Sequence, residues 1–159
     1  MIDLHRAIYQ LWLANGLDSA FTDYWESGVG EFLAYNEMEA APGTPMPYVI
    51  YEAEKGSVSA RMSGHSSNEK HEFRDVSWTF MVHARQMGED SGKDIAHSLA
   101  QSIMAVFGGH PTVVPQLPVL ETGKMLQVQY QSDWGMRTGD KEYSWNIQYA
   151  MRIDVPVAV

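Results

Sequence analysis

Six histidines, His5, His65, His71, His83, His97 and His110, are the side chains best suited to hold a metal or move a proton. A two-histidine metal site needs close spacing, such as i and i+4 on one helix, backed by a carboxylate. None of the pairs has that spacing. His65 and His71 lie beside Glu69 and Glu72, the nearest approach to a cluster, but the surrounding Gly64-His-Ser-Ser-Asn-Glu-Lys-His71 is polar and without period, so it reads as a hairpin tip or a mobile loop. His83 falls on the polar side of a strand and His97 on the polar side of a helix, both surface or interface positions. A serine nucleophile would need a Gly-x-Ser-x-Gly elbow, and there is none. Neither a Gly-x-x-x-x-Gly-Lys phosphate loop nor a Gly-x-Gly-x-x-Gly turn exists, and Gly28-Val-Gly30 alone carries no weight. Glu37, Glu39, Glu52 and Glu54 offer pairs of carboxylates for acid/base work, but alternating acids beside a strand read as a solvated face or an inter-subunit rim. Trp78 and Trp145 sit on apolar faces, where core packing is the first explanation, and Trp134, next to a turn, is the tryptophan expected to be exposed.

The elements that would position these groups are organised around residues 73–107. Val76, Trp78, Phe80, Val82 and Ala84 alternate with Ser77, Thr79, His83 and Arg85, with Met81 the one large apolar residue on the polar side. A period of two marks a strand buried on one face. After the turn Gly88 to Gly92, residues Ile95, Ala96, Leu99, Ile103, Val106 and Phe107 form one helical stripe, closed by Gly108-Gly109 and Pro111. Leu4, Ala7, Ile8, Leu11 and Trp12 predict an N-terminal helix over 2–15, ended at Gly16, with a short helix to follow within 17–30. Strands are expected near 32–38, 48–53 and 57–63, with a brief one at 119–121. Leu126 to Gln131 reads as a clean alternation, as does Trp145 to Val155, with Asp133 to Glu142 as the turn between them. The expected fold is α+β: an antiparallel sheet of four to five strands with two main helices on one face, in a single domain spanning 1–159.

The totals exclude several functions. Eleven basic and twenty acidic residues leave a net charge of −9 with no Lys/Arg cluster, which argues against a nucleic-acid-binding face. The absence of cysteine removes disulfides and thiolate chemistry. No apolar run is long enough to span a membrane and no leader pattern opens the chain, so a soluble, unsecreted protein without a cofactor is expected.

The order of motifs carries more. An N-terminal helix precedes Pro47-Tyr-Val-Ile-Tyr51; then come Ala60-Arg-Met-Ser-Gly64, a strand ending Val82-His-Ala-Arg85, a helix opening at Gly92-Lys-Asp-Ile-Ala, and a last strand closing at Arg152-Ile-Asp-Val155. In this order the chain resembles the tail terminator (tail completion) proteins of long-tailed bacteriophages. The stretch from Phe21 to Phe32 is longer and more aromatic than that pattern. The resemblance implies a non-enzymatic structural protein of the virion's tail–neck region, assembled in the host cytoplasm. It implies a homo-oligomeric ring, usually hexameric, that stops polymerisation of the tail tube protein and meets a head-completion or stopper protein. DNA would pass through the lumen without being bound. The alternatives are a head-side neck ring (head–tail joining or stopper protein), a small-ligand or carbohydrate module, and a carboxylate enzyme. Glu37, Glu39, His65, Ser66, Ser67, Asn68, Gln127, Gln129 and Gln131 are the candidate assembly residues, because they offer hydrogen-bonding groups that stay soluble before assembly.

Overall fold

The computed structural model describes residues 2–22, 34–35, 43–53, 57–63, 70–110 and 114–157. Helices α1 (Ile2–Ala14) and α2 (Leu17–Thr22) are followed by strands β1 (Ala34–Tyr35), β2 (Tyr48–Ala53), β3 (Ser57–Ser63) and β4 (Lys70–Arg85), helix α3 (Gly92–Phe107), and strands β5 (Lys124–Gly139) and β6 (Glu142–Val157). The class is α+β. Four antiparallel strands in the order β2-β4-β6-β5 make the body of the sheet. Strand β4 is its axis: β6 pairs with it along its whole length, while β2 and β3 share its other edge, β2 against 78–83 and β3 against 70–75.

Three expectations need correction. The sheet is not wholly antiparallel, because the two-residue β1 runs parallel to β2. The expected strand at 119–121 is an irregular segment. The turn placed at Asp133 to Glu142 shrinks to Asp140 and Lys141, with β5 continuing to Gly139. β5 hides this length because its register slips at Leu126, Gln131 and Thr138, three bulges that break the period of two. One consequence is that Leu126 leaves the apolar row and lies 39% exposed, with Met125 buried in its place. The expected strand at 32–38 is described at 34–35 alone, and the rest of it lies outside the described residues.

The alternation in β4 buries what it predicted: Val76, Trp78, Phe80, Val82 and Ala84 are all at or below 3% exposure. Phe80 shows where the helices sit. Its ring lies 5.9 Å from Trp12 of α1 and 5.1 Å from Phe107 of α3, so both helices cover the same face. Helix α3 begins at Ser91, whose hydroxyl accepts the Asp94 N–H at 3.1 Å, and ends at Gly108, whose N–H reaches the Met104 carbonyl. Trp12 also donates to Asp18 at 2.7 Å, fastening α2 to α1.

One polar defect lies in this core. His5 packs between Tyr51 and Trp78, with ring centroids 5.9 and 5.0 Å away. Its Nδ1 and the Trp78 Nε1 are buried without a hydrogen-bond partner among the described residues. Burial, helped by the N-terminal amino group, lowers the His5 pKa below its ordinary 6.5, and burial lowers that of His83 against the pull of Glu142. A folded-state pKa below the unfolded one means that the unfolded chain takes up protons first on acidification. Stability should therefore fall as pH drops below about 6.5. Thermal melts between pH 7.5 and 5.5 should show the fall, and His5→Gln should flatten part of it.

Candidate assembly surfaces

No catalytic constellation emerges from the described residues. No three of His, Cys, Asp and Glu among them gather into a group that could hold a metal. Two open grooves are lined by described residues. One, about 400 Å³, lies between α1 and Val119 to Glu121 and is lined by Asp3, Arg6 and Gln10. Arg6 pairs with Glu121 across it at 3.1 Å. The other, about 260 Å³, lies at the hairpin end, between Ser91 to Lys93 and Arg137 to Tyr143. Both are shallow and open, unlike the enclosed clefts that bury small ligands.

The informative surfaces are larger. The sheet face turned away from the helices carries Tyr48, Ile50 and Glu52 from β2, Ser77, Thr79, Met81 and His83 from β4, and Ser144, Asn146, Gln148 and Ala150 from β6. β5 adds Gln127, Gln129, Ser132, Trp134 and Met136 by its pairing with β6. Ion pairs stand at the two ends of this face, Asp75 with Arg152 at 2.8 Å and Arg85 with Glu142 at 2.6 Å. Between them Glu52 is the one acid or base among the described side chains other than His83. Ser144 and Asn146 are 2% and 6% exposed although they lie on this outer face, and His83 stacks on Tyr48 at 4.9 Å. Trp134 is 44% and Met136 51% exposed, so the expectation for Trp134 holds.

The opposite layer has its own apolar strip. Residues 114–121 run along α1 as an extended strap before β5. Gln116 and Asn15 exchange side-chain hydrogen bonds at 2.8 and 3.3 Å near one end, and Glu121 meets Arg6 at the other. Pro115 and Pro118 fix φ along it and leave few backbone donors to pair. Val114 and Val119 are 85% and 82% exposed, and Leu117 46%. Sequence reasoning missed this strip because proline-set segments have no period to read.

Of the predicted interface residues, Gln127, Gln129 and Gln131 are exposed on β5. Gln131 occupies a bulge, so it does not share a row with the other two. Glu37, Glu39, His65, Ser66, Ser67 and Asn68 lie outside the described residues, as does most of Phe21 to Phe32.

A carboxylate that the sequence did not single out organises the middle of β5. Asp133 accepts from the Tyr130 hydroxyl and from Trp145 Nε1 at 2.7 Å, while His97 of α3 packs on Trp145 at 4.5 Å. Burial, with help from Asp133, pushes the Tyr130 pKa up to about 12. Tyr130 lies three residues earlier on the same strand, but Trp145 comes from β6, and that half of the site no local spacing reveals. Asp133→Ala strands two half-buried donors and should cost about 2 kcal/mol, and Asp133→Asn about 1 kcal/mol. Denaturant midpoints at constant m-value would check both.

No family model and no curated protein sequence matches the chain. A solved structure does resemble it. A chain from the virion of a native gene transfer agent particle superposes with a TM-score of 0.53, at 16% sequence identity, over 96% of this chain and 95% of that one. At that identity the likeness is one of fold, and it runs nearly end to end in both chains.

Proposed function

We propose that this protein is a tail terminator: a non-enzymatic virion component that forms a ring on the head-proximal end of a tail tube. It ends tube growth and presents a surface to the head-completion or stopper protein. The observation that carries the reading is the fold shared, over almost the whole length of both chains, with a chain from the virion of a gene transfer agent particle. The order of motifs from Pro47 to Val155 supports the same conclusion independently. The physical features agree with it. Among the described residues, broad surfaces and not an enclosed cleft hold the unusual groups. A net charge of −9 lets DNA pass a lumen without being held, because like charges repel at short range. A terminator must match the rotational symmetry of the tube, so each subunit meets its neighbours through two different surfaces.

The test is self-association. Light scattering should show monomer at low concentration and ring-sized particles, near a hexamer, at high concentration or with tube protein. A strict monomer under every condition, tube ends included, would sink the reading. Binding to heads and not to tube ends would move the protein to the head side of the neck.

A further inference from the structure

The polar defect under α1 marks where the molecule parts first. We propose that α1 is a pH-gated flap: protonation of His5 lifts it from the sheet while β4, β6 and α3 stay folded. The device does not depend on the ring reading.

The geometry beneath the helix sets it up. The His5 ring packs on Tyr51 of β2 and Trp78 of β4, which stack on each other at 5.6 Å. Neither the His5 Nδ1 nor the Trp78 Nε1 has a hydrogen-bond partner among the described residues, and both are buried. Neutral His5 with its proton on Nε2 keeps Nδ1 an acceptor, on a ring packed against one whose Nε1 is an unpaired donor. Protonation makes Nδ1 a donor as well, so the site then holds two buried donors and no acceptor for either.

The charges around His5 oppose the proton too. α1 begins at Ile2, so His5 closes its first turn, where the helix dipole is positive. No described carboxylate faces the ring. On α1, Asp3 and Arg6 turn to the groove beside Glu121, and the remaining titratable neighbour is Tyr9. On β2, burial holds the Tyr51 hydroxyl neutral, and Glu52 lies on the outer face. On β4, Glu72 is engaged with Arg74 farther along the strand. The lowered pKa of His5 agrees with this setting. A proton that binds the lifted helix better than the docked one favours lifting.

α1 is also able to leave without the rest. It is held by the packing of Leu4, Ile8 and Trp12 and by side-chain bonds, from Arg6 to Glu121 and, just past its end, between Asn15 and Gln116. Among the described residues no backbone hydrogen bond joins it to the sheet, whereas β4 and β6 pair along their whole length. Lifting α1 therefore frees the strap from its clasp and leaves the strand ladder whole.

Hydrogen exchange read by mass spectrometry, corrected for the intrinsic effect of pH, separates the flap from the fold. Between pH 7.5 and 5.0 the protection of α1 amides should fall about fivefold or more, the factor expected when the lifted state binds one more proton at an ordinary histidine. At each pH these amides should be less protected than those of 76–84 and should respond little to urea, because an opening that spares the sheet exposes little surface. His5→Phe keeps an aromatic ring in the stack and takes up no proton. It and His5→Gln should both abolish the fall in α1, while His83→Gln should leave it in place. The proposal is overturned by α1 protection that ignores pH, by a fall that survives in both His5 variants, or by α1 and β4 exchanging together with one urea slope.

Discussion

Phe80→Ala should cost about 3–5 kcal/mol of folding stability, the range for removing a large buried aromatic side chain. Phe80 is 1% exposed and stands where the layers meet. Its ring touches Trp12 from α1, Phe107 from α3, and Tyr149 from β6 at 6.0 Å edge-on. Truncation therefore opens a cavity bounded by three elements. Those elements cannot collapse on it together, because Trp12 is held by Asp18 and Tyr149 by the Gly108 carbonyl at 2.7 Å. Urea denaturation followed by tryptophan fluorescence would measure the loss. A cost below about 1 kcal/mol would mean that Phe80 is not the junction of the core.

Gly123→Ala is the second large effect. Gly123 joins the strap to β5 with φ +100, a conformation that side-chain-bearing residues rarely adopt. A Cβ there would stand 2.5 Å from the Asp154 backbone carbonyl oxygen. The strained backbone and the clash with main chain add up to about 2–4 kcal/mol. The effect should be local before it is global. Amide exchange should accelerate first at the start of β5 and in the adjoining end of β6, where Lys124 pairs with Asp154. A melting temperature equal to that of the wild type would contradict this.

The sequence revealed those parts of the fold in which one local rule acts alone. β4 is an uninterrupted alternation and α3 an uninterrupted stripe, and both appear with the buried residues expected of them. β5 was only half legible because its bulges reset the alternation, so its second half looked like a turn. β1 lies within the strand expected at 32–38, but its parallel direction depends on its pairing with β2, which no local pattern records. The candidate surfaces divide in the same way. Trp134 is expected to be exposed because a turn is placed beside it; it is exposed, but on a continuous strand whose outer side it occupies, while the β5 glutamines are exposed as their polar alternation suggests. The exposure of Val114, Leu117 and Val119 follows from no such pattern, since apolar residues between prolines read equally well as core. Asp133 was invisible because a carboxylate's value there comes from Trp145, brought beside it by the hairpin.

The most direct test of the account is tail-tube length. Tube protein is allowed to polymerise in the presence of rising amounts of this protein, and the products are imaged by negative stain. Tubes should shorten as the ratio rises, with a single disc of ring diameter on one end and never along the wall. Tubes of unchanged length with bare ends, at every ratio, would contradict the account.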